Sequence, residues 1–196
     1  MIKKIVILGP ESTGKSTLCE QLAIHYKTLW VNEYARKYLL QNGMQYSFDD
    51  LLIMAKGQLA LEDTLVSSAA AIFSPTVGEI YHDEIASSTN PSSSTPVFID
   101  TDMNVLKVWS EFVFDQCDHW ILNQIVTRKY DLYLLCDIDL PWVKDELREY
   151  PDLTTREKLF HHYKDIMVNQ EVPWAIIKGN YDERFINARE AVQRIL

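Results

Sequence analysis

The chain has 196 residues, 47% of them apolar, enough to bury one good core and to form a single domain over 1–196. A formal net charge of -9 opposes any broad basic surface, which argues against nucleic acid as a main partner and for a small one. No apolar run approaches the roughly 20 residues of a membrane span, the first strand begins at once and leaves no room for a signal peptide, and Cys19, Cys117 and Cys136 show neither a CxxC nor a close histidine, so we expect reduced thiols in a cytoplasmic protein without a membrane partner.

Ile5-Val6-Ile7-Leu8 reads as a short buried strand that ends in glycine, and a helical pattern resumes over Ser16 to Tyr26. Between them Gly9 to Ser16 spells G-x-x-x-x-G-K-S, the phosphate-binding loop, with both flanking elements that the motif requires. Its glycines let backbone N–H groups curl towards phosphates, Lys15 brings a point charge to the transferred phosphoryl, and Ser16 offers a hydroxyl to magnesium. Gly9, Glu11, Ser12, Thr13, Gly14, Lys15, Ser16 and Thr17 are therefore the candidate ATP contacts. The loop alone does not choose between a kinase, a GTPase and a mechanical ATPase.

Thr28 to Val31 predicts a second strand that runs into Asn32-Glu33-Tyr34-Ala35-Arg36, with helical spacing through Leu40. Ligands of open α/β sheets bind at the carboxyl ends of strands, which favours chemistry at Glu33 and Arg36, although both also suit an ordinary solvated first turn. Phe48 to about Val66 is a long helix with a capping start at Ser47 and Asp50. From 67 to 96 the pattern dissolves, most of all in SSTNPSSSTP, and the span reads as an inserted flexible loop or an ordered lid. Ala69 to Phe73 can extend the preceding helix.

Val97 to Asp102 is a buried strand whose two carboxylates, one residue apart, face the same way while the strand continues. A carboxylate at the tip of a strand beside the phosphate loop is a magnesium partner, which suits Asp100, whereas Asp102 equally fits the N-cap of the next helix. Asn104 to Val126 is one long buried helix or a broken pair, with Trp109 in the core. Tyr130 to Cys136 is a strand, and Pro141 suits the first turn of a short helix through Leu147. Arg148 and Arg156 fall in a loop over 145–157 able to close on a nucleotide and set cations against the charge of phosphoryl transfer. The alternative is surface pairing with Glu149, Asp152 and Glu157. Pro173 to Ile177 and a helix capped at Gly179 to Asp182 complete a doubly wound α/β domain with a mostly parallel sheet of about five strands.

Taken together, GPESTGKSTL, NEYARKYL, FIDTD followed by VLKVWSEF, DELREYPDLTTRE and GNYDERF resemble the ribosylnicotinamide kinase domain of NadR-type proteins, over nearly the whole chain. The resemblance implies a P-loop kinase of the nucleoside and nucleotide kinase type that moves the γ-phosphate of ATP to the 5′-hydroxyl of nicotinamide riboside. It assigns Lys15 and the loop amides to the phosphates, Ser16 and Asp100 to magnesium, and Arg148 and Arg156 to the lid. Glu33 or Asp102 would orient the substrate and accept its proton, with Tyr34 and Arg36 lining the pocket. The DNA-binding and adenylyltransferase regions of full-length NadR proteins are not in this sequence, so the expectation is a stand-alone kinase. Asn32 stands where some family members carry an aromatic residue. Two other readings keep the loop: a kinase for another nucleoside, and a regulatory nucleotide switch.

Overall fold

The computed structural model describes residues 1–73 and 94–196. Five strands form one parallel sheet: β1 (Ile2–Leu8), β2 (Trp30–Val31), β3 (Thr95–Asp100), β4 (Leu132–Cys136) and β5 (Trp174–Ile177), in the order β2-β3-β1-β4-β5. The seven helices among the described residues are α1 (Lys15–Tyr26), α2 (Tyr34–Asn42), α3 (Phe48–Ile72), α4 (Met103–Phe114), α5 (His119–Thr127), α6 (Leu153–Val168) and α7 (Tyr181–Gln193).

The sheet is covered on both faces, which is why its central strands read as unbroken apolar runs. Alternation along β1 sends Ile5 and Ile7 to one face, where Leu18, Cys19 and Leu22 of α1 meet Ala188 and Val192 of α7. Val6 and Leu8 go to the other face, against Ala69 of α3, Val105 and Val108 of α4, and Leu159 and Met167 of α6. A third apolar cluster, built on Ala35, Leu39, Leu51, Met54, Leu106 and Ile121, joins α2, α3, α4 and α5 beside the sheet. With β1 flanked by β3 and β4, the chain's crossovers diverge at the tip of β1, and the crevice at such a switch point is where open α/β sheets bind ligands.

Several expected boundaries shift, each for a local reason. The second strand begins at Trp30 rather than Thr28, because Thr28 N–H returns to the Ala23 carbonyl to close α1 (2.9 Å). Helix α3 carries its Ser47–Asp50 capping box and runs on to Ile72 with Phe73 at its C-cap, so the extension through Ala69 is real and 67–72 is helical rather than part of the insertion; residues 74–93 of that insertion lie outside the described residues. The long element after β3 is the broken pair: α4 stops at Asp115, in the left-handed region (φ 54°), and Asp118 caps α5. No helix forms over Pro141–Leu147. Its amides are taken by side chains instead, Val143 N–H by Ser12 Oγ (2.9 Å) and Leu147 N–H by Asp145 Oδ1 (3.0 Å), which removes the donors a helical turn needs.

Candidate active site

The phosphate loop joins β1 to α1 with a backbone that demands its glycines. Gly9 has φ 137° and lies so close to β4 that a Cβ there would meet the Cys136 carbonyl oxygen at 2.7 Å. Gly14 has φ 77° and caps α1. Within the loop, Thr13 Oγ1 and Lys15 Nζ both donate to the Pro10 carbonyl (2.7 and 2.9 Å), an arrangement that leaves the lysine beside the loop it serves. Beneath it lies Arg184, 2% exposed, from the first turn of α7. Its guanidinium donates to the carbonyls of Thr13 (2.9 Å), Asp137 (2.9 Å) and Gly179 (2.8 Å) and pairs with Asp139, tying the phosphate loop to the ends of β4 and β5.

Asp100 ends β3 and is 1% exposed. Ser16 Oγ donates to its Oδ2 at 2.5 Å, while Oδ1 is buried without a partner. Burial raises the carboxyl above the usual carboxylate range, against the pull of Lys15 and the Ser16 hydroxyl. A hydroxyl and a buried carboxylate with a free oxygen, beside a phosphate loop, are the donor set a magnesium ion takes from protein while completing its shell with phosphate and water. Glu33, the N-cap position of α2, is likewise raised, first by burial and then by Asp100, with Lys15 and Arg36 opposing. The two carboxylates are brought together by Gln58 of α3, 1% exposed, whose Oε1 accepts from Tyr34 N–H (2.7 Å) and whose Nε2 donates to the Asp100 carbonyl (3.1 Å).

The whole loop from Gly9 to Thr17, Glu33, Arg36 and Arg148 line one cleft. Its apolar side carries Trp109 and Phe112 of α4, Tyr150, and Tyr163 of α6. An adjoining recess shares Ser16, Glu33 and Arg36 with the cleft and adds Asn32 and Asp100. Arg36 pairs with Asp145 (2.8 Å) and so joins α2 to the 141–150 segment.

Three sequence expectations meet a different geometry. Asp102 does not share a face with Asp100, because the strand ends there and Thr101 turns in the left-handed region (φ 75°). It is instead the buried N-cap of α4: Oδ1 accepts from Asn104 and Val105 N–H, and Oδ2 from Asn104 Nδ2 (2.7 Å). It lines neither the cleft nor the recess. Tyr34 packs its ring on Gly57, where a Cβ would stand 2.2 Å away, and is also absent from both walls. Arg156 is inside α6 rather than in a loop, 4% exposed, donating to the Ile138 and Leu140 carbonyls (3.3 Å each) and away from the cleft. Trp109 packs against the third apolar cluster, as expected of a core residue, but also lines the cleft, with its Nε1 held by Tyr46 Oη (2.9 Å).

Gln58 and Arg184 are site residues that the sequence does not mark. A lone glutamine in a helical apolar pattern carries no signal of its own, whereas Arg184 sits in the GNYDERF stretch, where its place in a shared motif is the one signal that points to it.

The AAA domain family profile matches residues 4–184. The trifunctional NAD biosynthesis/regulator proteins NadR of Salmonella typhimurium and Escherichia coli are each 24% identical over 203 aligned positions, covering 100% of this chain and 43% of theirs. The chain thus spans less than half the length of these curated relatives. Among solved structures, a NadR protein in complex with NR superposes with a TM-score of 0.73 at 22% identity, over 98% of this chain and 49% of that one. A NadR protein in complex with NAD and AMP-PNP gives 0.67 at the same identity and coverage. The thymidylate kinase of Ehrlichia chaffeensis gives 0.64 at 14% identity, over 98% of both chains, so the fold is that of P-loop kinases.

Proposed function

The chain belongs to the AAA domain family, and we propose that it is a phosphotransferase that moves the γ-phosphoryl group of ATP to the 5′-hydroxyl of nicotinamide riboside, giving nicotinamide mononucleotide for NAD salvage. The observation that carries this reading is that the phosphate end and an acceptor end share one cleft: Ser16 and Asp100 stand 2.5 Å apart at the loop, and Glu33, a second carboxylate, opens beside them. The fold similarity to NadR structures holding NR and AMP-PNP supports the choice of both reactants.

Each residue then has a task set by its chemistry. Lys15, once it leaves the Pro10 carbonyl, and the loop amides meet the β- and γ-phosphates; Ser16 and Asp100 would hold magnesium, which neutralises charge on the phosphate oxygens when bound. The 5′-oxygen forms its bond to the γ-phosphorus as the bond to the β–γ bridging oxygen breaks, and the hydroxyl proton passes to Glu33. Burial raises both Glu33 and Asp102, which suits either to accept a proton near neutrality, but Glu33 lines the cleft whereas the oxygens of Asp102 are engaged in capping and lie outside it, which favours Glu33. Arg148 supplies a cation from the 141–150 segment and Arg36 a second at the acceptor side. Nicotinamide riboside carries a cationic pyridinium, and a wall of Trp109, Phe112, Tyr150 and Tyr163 with Glu33 nearby suits a flat cation.

The reading places the protein in the cytoplasm, where its free cysteines stay reduced, with no nucleic-acid partner. No described helix is long and apolar enough to cross a membrane. The test is a coupled assay with ATP and magnesium against nicotinamide riboside, nicotinic acid riboside, uridine, cytidine and thymidine. We expect ADP and nicotinamide mononucleotide in equal amounts, with kcat/KM for nicotinamide riboside at least tenfold above the pyrimidine nucleosides, a margin of about 1.4 kcal/mol. ATP turnover indifferent to every nucleoside overturns the reading in favour of a nucleotide switch.

A further inference from the structure

Glu11 occupies a variable position of the phosphate loop, yet its carboxylate makes no contact within that loop. It reaches across to the 141–150 segment, where Oε2 accepts from Glu149 N–H (3.0 Å) and Oε1 from Tyr150 N–H (2.6 Å) and from Trp142 Nε1 (3.3 Å). Next to it, Ser12 Oγ accepts Val143 N–H from the same segment (2.9 Å). The two amides Glu11 clasps are the ones that immediately follow Arg148. On the other side of that arginine, Leu147 N–H is held by Asp145 Oδ1 (3.0 Å), and Asp145 is itself fixed by Arg36. The backbone bearing Arg148 is thus gripped before and after by carboxylates, while its Nη1 rests on the Val143 carbonyl (2.5 Å) at the edge of the cleft.

Hydrogen bonds from backbone N–H to an ionised carboxylate are about twice as strong as neutral ones. A carboxylate beside a polyphosphate site also carries an electrostatic cost, since it repels the ligand the loop is built to hold. The structure resolves this conflict by spending the charge on three N–H donors of one segment. We propose that Glu11 is a positioning residue, which ties the 141–150 segment to the phosphate loop and thereby sets where Arg148 stands over the cleft. The inference rests on the kinase reading for the use made of Arg148, but not for the tie itself.

Two measurements on the full chain test it. The first is amide hydrogen exchange in the parent and in Glu11→Gln, whose carboxamide offers one acceptor and turns an N–H₂ towards the donors. We expect exchange at Glu149 and Tyr150 to speed by roughly tenfold or more, with the sheet unaffected. Unchanged exchange there overturns the proposal whatever the chain phosphorylates. The second is a double-mutant cycle with Arg148→Ala, read as kcat with the accepted nucleoside, or as intrinsic ATP hydrolysis if nicotinamide riboside is not a substrate, an outcome that counts against the kinase reading alone. Glu11→Gln should lower turnover about tenfold or more in the parent and by less than about twofold in the Arg148→Ala background, because its effect passes through that arginine. Affinity for AMP-PNP should stay within about threefold in both. Independent, multiplying losses, or a loss of AMP-PNP affinity as large as the loss of turnover, overturn it. If Glu11→Gln melts far below the parent, Glu11→Asp, which keeps the charge on a shorter arm, serves for the same comparisons with smaller effects expected.

Discussion

At the scale of single residues, Lys15 and Asp102 show how position decides what a charge does. Lys15 lies at the cleft with the Pro10 carbonyl as its one hydrogen-bond partner among the described residues, so Lys15→Ala should leave the melting temperature within a few degrees and lower kcat by about 10²–10³ or more, the loss typical of one preorganised donor. Turnover within about fivefold of the parent would remove it from the phosphate site. Asp100→Asn should instead shift the magnesium requirement upwards, because an amide is the poorer partner for a hard cation; a defect indifferent to magnesium would take Asp100 out of that role. Asp102 belongs to stability. Burial pushes its carboxyl up to about 6, so its contribution is fully present below the unfolded value near 3.8 and is lost as pH rises through 6. Asparagine caps a helix as well as aspartate does, and Asn104 can turn its amide to accept from the new N–H₂. Asp102→Asn should therefore match the parent near pH 4 and exceed it near pH 7.5 by up to about 3 kcal/mol, in thermal melts across that range. Asp102→Ala removes the same carboxylate but also the cap, and so should lie about 1 kcal/mol below the Asn variant throughout. An Asn variant whose advantage is the same at both pH values would show that the carboxylate is not the strained group.

At the scale of elements, the stretch from Asp145 to Arg156 divides at Leu153, where α6 begins. Arg148 stays on the loop and faces the cleft, while Arg156, four residues into the capped helix, points at the root of the same loop and holds the Ile138 and Leu140 carbonyls. The two should separate in experiment. Arg148→Ala is expected to lower kcat by about 10²–10³ with the KM for ATP changed only a few-fold, since its contribution appears in the transition state. Arg156→Ala takes the donor from the buried Leu140 carbonyl and the half-buried Ile138 carbonyl and should cost about 1–3 kcal/mol, a fall of several degrees in melting temperature, with kcat within about threefold of the parent. Equal kinetic losses for both would return Arg156 to the cleft. The reason that the sequence did not separate them is that helix start and loop differ here by the Asp152 cap, whose Oδ1 takes Thr155 N–H (2.8 Å), and that cap looks the same in sequence as a surface acid.

For the whole molecule, binding and folding are linked, because the cleft is assembled from the phosphate loop, the start of α1, α2, α4, α6 and the 141–150 segment and exists only in the folded chain. AMP-PNP with magnesium at about 100 times its dissociation constant should stabilise the fold by about 2.7 kcal/mol, or about 5–10 °C in melting temperature. A shift below about 1 °C would mean that the loop does not bind the nucleotide. The elements that position this cleft were legible in the chain itself: the apolar runs of five strands, the G-x-x-x-x-G-K-S turn and the capped helices are local signals, encoded by residues within a few positions of one another. Whether Asp102 shares the face of Asp100 was not, because that depends on where the strand stops, and a β-branched threonine does not announce the left-handed turn found at Thr101 (φ 75°). Nor was the role of Gln58, Arg184 or Glu11, most of whose partners lie 24 to 171 positions away along the chain. A sequence states the donors and acceptors a residue owns; only tertiary structure, by closing those distances and excluding water, decides which of them are matched and which are left free for a ligand.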